Sequence, residues 1–230
     1  IHISDLFSDM ETGLRDWDSK GILRIGASIT IGSQFLPSYV KAFSEICPEI
    51  DVRVTVEQTE RLEQKILSNE LDCALIEGIA HDANIVTQAY MEDHLSVICG
   101  ADKDWTQGQN ITIEEFKKQR FLLREKGSGT REVFDRVIAQ AGIHVVPVWE
   151  AMSTTALVNA TINGLGISVL PHRMVLPALR QGLLCTVKVQ DLVFVRNFYI
   201  IYHKDKFLTN SAKQFIALCK SYEMDYPLPS

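Results

Sequence analysis

Residues 21–78 read GILRIGASITIGSQFLPSYVKAFSEICPEIDVRVTVEQTERLEQKILSNELDCALIEG. Three short strand-like segments, 22–26, 52–57 and 73–77, alternate with two stretches of helical spacing, 35–46 and 61–69. Cys73-Ala74-Leu75-Ile76 is continuously apolar, as a short strand covered on both faces requires. Strand, helix, strand, helix, strand in that order implies a parallel sheet with helices on its faces.

The remainder repeats the pattern in looser form. After strand-like segments at 86–89 and 95–99, the chain reads strand 121–123, helix 131–141, strand 147–151, helix 155–163 and strand 167–170. A further strand at 198–203 and an amphipathic helix at 211–222 close it. Two Rossmann-like α/β lobes follow, joined by strand-like crossovers near 93–95 and 203–205. The divisions are then 21–93 plus 204–224 for the first lobe and 94–203 for the second. Upstream, Ile3, Leu6, Phe7, Met10, Leu14 and Trp17 recur at three- and four-residue steps between acidic residues, which predicts a helix over 3–17 with an apolar face in need of a partner.

The 230 residues carry a formal charge of −6, and the longest cationic runs are pairs such as Lys117-Lys118. A chain of this balance does not grip a nucleic-acid backbone by itself. Cys47, Cys73, Cys99, Cys185 and Cys219 are odd in number, widely spaced and mostly set in apolar runs. They read as buried free thiols in a reducing, cytoplasmic setting, with neither a disulfide framework nor a zinc site. No run is long and apolar enough to span a membrane, and residues 1–20 lack the form of a leader, although a secreted chain with its leader removed would start the same way.

In open parallel sheets ligands sit beyond the carboxyl ends of the strands, so the polar strand-to-helix turns are where a site belongs. Four stand out. Ser28, Ile29 and Thr30 follow the first strand, and their hydroxyls either cap the next helix or donate to an anion. Glu77-Gly78 ends the third strand; Glu77 accepts from an amine or hydroxyl of a ligand or is solvated, and Gly78 permits a turn. Ser153 and Thr154 open a helix in the second half with the same two readings as Ser28 and Thr30.

The fourth turn, Arg124 to Arg131, reads Arg-Glu-Lys-Gly-Ser-Gly-Thr-Arg. Gly127 and Gly129 let backbone amides turn toward a ligand, Ser128 and Thr130 add hydroxyls, and Arg131 adds a planar cationic fork beside the positive end of a helix. That is a seat for a carboxylate, sulfate or phosphate; the alternative is a capping loop with Arg131 on the surface. Catalytic patterns are weaker. The six histidines are scattered, none lies in a nucleophile or metal motif, and residues 127–131 lack the Gly-Lys-Ser/Thr ending of a nucleotide loop. No catalytic residue, metal or cofactor is expected, and binding without turnover is the better reading.

Taken in order, several segments resemble the effector-binding domain of LysR-type transcriptional regulators, over nearly all of 21–222. They are Gly21-Ile22-Leu23-Arg24-Ile25-Gly26-Ala27-Ser28; Leu36-Pro37 followed by Phe43 and Pro48; and Leu71-Asp72-Cys73-Ala74-Leu75-Ile76-Glu77-Gly78. The loop from Arg124 to Arg131 is another, as is Asn163-Gly164-Leu165-Gly166-Ile167-Ser168-Val169-Leu170-Pro171. The resemblance implies a periplasmic-binding-protein-like fold of type II, with 1–20 as the end of a linker helix. It implies a small anionic metabolite as effector, held between the lobes by Ser28, Ile29, Thr30, Ser128, Gly129, Thr130, Arg131, Ser153 and Thr154, with Glu77 reading a second group. It further implies a homodimer, tetrameric in the full-length regulator, that contacts promoter DNA through an amino-terminal winged helix-turn-helix absent from this chain. Two rival readings keep the same architecture: a transport-associated solute-binding protein for a small anion, and an enzyme acting on a small acid.

Overall fold

The computed structural model describes residues 21–102 and 105–222; the amphipathic helix expected over 3–17 lies outside the described residues. In chain order the elements are β1 (Ile22–Ala27), α1 (Ile29–Gln34), α2 (Leu36–Ile46), β2 (Asp51–Val56), α3 (Thr59–Leu67), β3 (Cys73–Glu77), β4 (Ile85–Gly100) and β5 (Gln109–Ile111). There follow α4 (Ile113–Lys117), β6 (Phe121–Arg124), α5 (Gly129–Gln140), β7 (Trp149–Ala151), α6 (Thr154–Ile162), β8 (Ile167–Pro171), α7 (His172–Arg180), β9 (Leu184–Val189), β10 (Val195–His203) and α8 (Asn210–Ser221).

The described residues divide into two compact units. The first comprises 21–57, 61–90 and 199–222, and the second comprises 58–60, 91–102 and 105–198. Apart from the three residues 58–60, the chain passes between units at 90/91 and 198/199, a few residues before the crossovers expected from the sequence. Both passages lie inside strands, β4 and β10. The two segments expected at 86–89 and 95–99 are in fact one strand of 16 residues. Glu92-Asp93-His94 interrupts the apolar pattern but not the strand, because the buried charge of Asp93 is matched by Arg196 on β10, 2.7 Å away.

In unit 1, β1 lies between two parallel partners. It pairs with β2 from Ile22↔Asp51 to Ala27↔Val56 and with β3 from Ile25↔Cys73 to Ala27↔Leu75, and β10 and β4 extend the sheet beyond β3. Every residue of β3 is buried, as its unbroken apolar run requires. On one face Leu62 and Ile66 of α3 pack against Leu71, Ala74, Ile76, Ile85 and Ile201. Elsewhere in the unit α2 meets α8 through Phe43 and Phe215, whose rings stand edge to face at 5.5 Å. Pro37 sits in the first turn of α2, where its missing N–H costs no intrahelical bond.

Unit 2 is built on the parallel set β8, β6 and β7, with β8 antiparallel to β4 and β9 running between β4 and β5. Alternation along β6 serves two cores. Phe121 and Leu123 join Phe116, Phe134 and Phe194 on one face, where Phe134 and Phe194 stack at 6.1 Å. Leu122 faces the other way, onto Leu157, Leu170 and Val175. Four elements of this unit, β5, α4, α7 and β9, were not read from the sequence; β5 and α4 have only three and five residues. In α7 an internal Pro177 also masks the helix.

Candidate functional site

Each unit presents polar side chains at the carboxyl ends of its parallel strands. In unit 1 the first residue past β1 is Ser28, buried at 3% exposure. It occupies the cap position of α1, yet its side chain makes no cap bond. Its hydroxyl instead donates to Glu77 Oε1 at 3.0 Å, and its amide donates to the Leu75 carbonyl at 2.9 Å, which fastens the joint to β3. Glu77, the last residue of β3, is equally buried, and Gly78 after it takes φ +83°, a turn that a side chain would strain.

Ile29 begins α1 half-buried. Thr30 is 1% exposed, and its hydroxyl has no hydrogen-bond partner among the described residues. Buried hydroxyls are normally satisfied, so an orphan at a strand-to-helix joint marks a place for an outside partner. The Tyr90 phenol is held well above its usual range, first by burial and then by neighbouring Tyr39, Cys219 and Glu77.

The joint of unit 2 has the same composition and a different bonding pattern. Gly127 takes φ +84° and turns the chain into α5, whereas Gly129, expected to share that role, is already the first helical residue. Ser128 caps α5, its oxygen accepting from the Arg131 amide at 3.1 Å. Ser153, exposed, caps α6 through the Ala156 amide at 3.2 Å. Thr154 is buried and accepts from Arg124 Nη1 at 3.2 Å, while Arg124 forks onto Glu125 at 2.8 and 3.0 Å. Thr130 is buried and accepts from Arg196 Nη1 at 3.0 Å.

Arg131 departs from expectation in a specific way. Its Nε donates to Asp135 at 2.9 Å, and its Nη1 donates to Glu150 at 2.9 Å and to the Arg124 carbonyl at 3.0 Å. Burial opposes the charge, and the two carboxylates more than offset it, so the guanidinium pKa is raised. Asp135 lies four residues on, one helical turn away, where an opposite charge meets its partner. Nε and Nη1 of the fork expected to hold a ligand anion are thus engaged by the protein's own acceptors on α5, β6 and β7.

Sequence reasoning missed the cation that does adjoin the Thr130 hydroxyl. Arg196 is buried with Asp93, each side chain 1% exposed, and its guanidinium lies 5.2 Å from the centre of the Phe198 ring. The local signal was weak: Glu92-Asp93-His94 breaking an apolar pattern, and an arginine 103 positions from Asp93. Among the described residues no group of three or more His, Cys, Asp or Glu side chains is arranged to hold a metal ion, and no helix is long and apolar enough to cross a membrane. All five cysteines are free thiols.

The chain matches the LysR substrate binding domain over residues 18–223. It is 30% identical over 202 residues to the uncharacterized HTH-type transcriptional regulator YeiE of Escherichia coli (strain K12), covering 88% of this chain and 69% of that protein. The HTH-type transcriptional regulator CysL of Bacillus subtilis (strain 168) is 27% identical, covering 88% of this chain and 68% of CysL. Among solved structures, the CcmR regulatory domain of Synechocystis PCC6803 in complex with 2-PG superposes with a TM-score of 0.80 at 24% identity, over 87% of this chain and 96% of that one. The two α/β units, each with a parallel strand set and joined by strands that run through both, have the periplasmic-binding-protein-like fold of such domains. The chain belongs to the LysR substrate binding domain family.

Proposed function

We propose that this domain is the ligand sensor of a LysR-type DNA-binding transcriptional regulator, that its effector is a small anionic metabolite, and that it binds without turning the effector over. The single observation that carries the ligand reading is the Thr30 hydroxyl, buried and without a partner among the described residues at the carboxyl end of β1. In unit 1 Thr30 donates to the anion with Ile29 beside it; unit 2, taken by itself, offers Gly129 and the Thr130 hydroxyl with Arg196 as the adjoining cation. Ser128, Ser153 and Thr154 have their oxygens engaged by amides or Arg124, so each keeps at most its single O–H for a ligand.

Effector binding changes the regulator only through its different affinity for two conformational states, and in a homodimer or tetramer that shift repositions the DNA-contacting heads. DNA contact belongs to a helix-turn-helix segment outside this chain. The regulator names of the relatives support that assignment, as does the acidic charge of −6. A thermal-shift and calorimetric screen of sulfate, phosphate and small carboxylates tests the reading, since a ligand of the folded state raises stability by mass action. A binder that loses at least tenfold in affinity in Thr30→Val supports it; absence of any binder in the panel refutes it.

A further inference from the structure

We infer that unit 2 carries a second small-molecule seat, on the face shared by β4, β9 and β5, and that it takes a small aliphatic monocarboxylate. Strand register builds its floor. Ile98 pairs with Thr186 and Asn110 with Lys188, so the alternation of strand residues puts Ser96, Ile98, Thr186, Lys188 and Asn110 on one face. Val97, Val187 and Ile111 point the other way, into the aromatic core. At Ile98 the face is covered, packing in a core with Val175 of α7. Toward Ser96 it opens into a cavity of about 490 Å³ whose wall includes His172, the first residue of α7, and the loop 190–193. None of the four polar turns contributes to this cavity.

Its polar side chains are donors that the fold leaves unused. Lys188 is exposed and makes neither an ion pair nor a hydrogen bond among the described residues, and the side-chain amide of Asn110 beside it is equally unengaged. Ser96 Oγ lies 2.7 Å from His172 Nδ1. Burial, with Arg173 and His94 adding to it and Asp93 opposing, holds that ring below its usual range, so it is neutral at neutral pH. A neutral imidazole and a hydroxyl own two protons and spend one on each other, so the pair keeps one donor whichever way their bond runs. Asp191 also lines the cavity, and Glu92 is held by His94 Nε2 at 3.1 Å. One ammonium facing one lining carboxylate suits a ligand of single negative charge over a dianion. Val193, 71% exposed on the rim, gives a short alkyl chain an apolar surface on which to leave water.

Histidine-ring NMR signals of the chain report on this seat locally, with butyrate as the probe and sulfate as its rival. Butyrate is expected to shift the His172 signals, assigned by their loss in His172→Asn, and to do so with the same affinity in wild type and in Thr30→Val. Lys188→Gln, a change at an exposed position, is expected to weaken that affinity about threefold, the scale of one exposed charge, while Lys188→Arg retains it. Sulfate is expected to bind there more weakly than butyrate. His172 signals that butyrate does not move, that move only when Thr30 is intact, or that report equal affinity in Lys188→Gln overturn the inference. Sulfate binding more tightly than butyrate overturns the choice of a monocarboxylate. The seat shares no residue with the anion reading built on Thr30, so either fails without the other.

Discussion

The strand-to-helix joint at 27–30 and the one at 124–131 look alike as sequence and differ as chemistry. Both follow a buried parallel strand and place Ser and Thr two residues apart before a helix. In unit 2 the serine caps its helix, the threonine accepts from Arg196, and Arg131 is spent on Asp135 and Glu150. In unit 1 the serine does not cap, and the threonine hydroxyl has no partner among the described residues. Hydroxyl composition alone therefore does not identify a ligand seat. What identifies it is polar capacity that the surrounding fold leaves unused.

The contrast is broken most directly at Asp93 and Arg196, the buried pair on which the Thr130 arrangement depends. Removing one partner leaves an uncompensated charge inside unit 2. Arg196→Met or Asp93→Leu is expected to cost about 3–5 kcal/mol by urea unfolding, whereas the double variant recovers most of that loss, because the penalty lies in the unpaired charge and not in the absence of the bond. Two additive single losses would show that the pair does not act as a unit.

An intermediate effect comes from making one substitution at both joints. Thr130→Val deprives a buried guanidinium of its acceptor and is expected to lower stability by about 1–3 kcal/mol. Thr30→Val removes a desolvated hydroxyl that makes no bond among the described residues. Its stability is expected to stay within about 0.5 kcal/mol of wild type, or to rise. Comparable losses in the two variants would mean that Thr30 is structurally engaged and that the two joints are equivalent after all.

A smaller effect separates the two serines. Ser128→Ala removes the cap of α5 and is expected to cost about 1 kcal/mol, with anion binding unchanged by calorimetry. Ser28→Ala loses no cap; it removes the hydroxyl that donates to Glu77 beside Thr30, so its signature is weakened anion binding. Weakened anion binding in Ser128→Ala instead would mean that capping does not separate the two serines.

Much of the fold was legible because β3 is a fully buried strand, whose unbroken apolar run is not confused with an exposed segment. The joints were legible too, since strand ends followed by Gly, Ser and Thr have few other readings. The bonding at those joints was not. Arg131 and Asp135 stand four apart and both lie in the helix expected over 131–141, so their pairing was available from helix geometry. Asp93 and Arg196 had no such local clue, because their meeting depends on strand pairing across most of unit 2. Whether Thr30 lacks a partner is likewise a property of packing that no window of sequence contains.

The least of the expected effects uses acid to distinguish the units. In unit 2 the Ser96 hydroxyl lies 2.7 Å from His172 Nδ1. Burial chiefly holds that histidine below the usual 6.5; Asp93 opposes the shift, while Arg173 and His94 add to it. A depressed histidine pKa means that the fold favours the neutral ring, so this contribution is complete above about pH 6.5 and is lost as the pH falls through the folded value. In unit 1, burial pushes the Asp72 carboxyl upward, but hydrogen bonds from Arg24 and Lys206 outweigh it and leave the pKa below 3.8. That contribution survives until the pH drops below about 4. Between about pH 6.5 and 4.5, hydrogen exchange should therefore quicken in β8 and α7 of unit 2 before it changes in β1 and β3 of unit 1, and His172→Asn should remove the difference. Simultaneous loosening, or loosening of unit 1 first, would show that the acid response is not carried by the half-buried histidine beside Ser96.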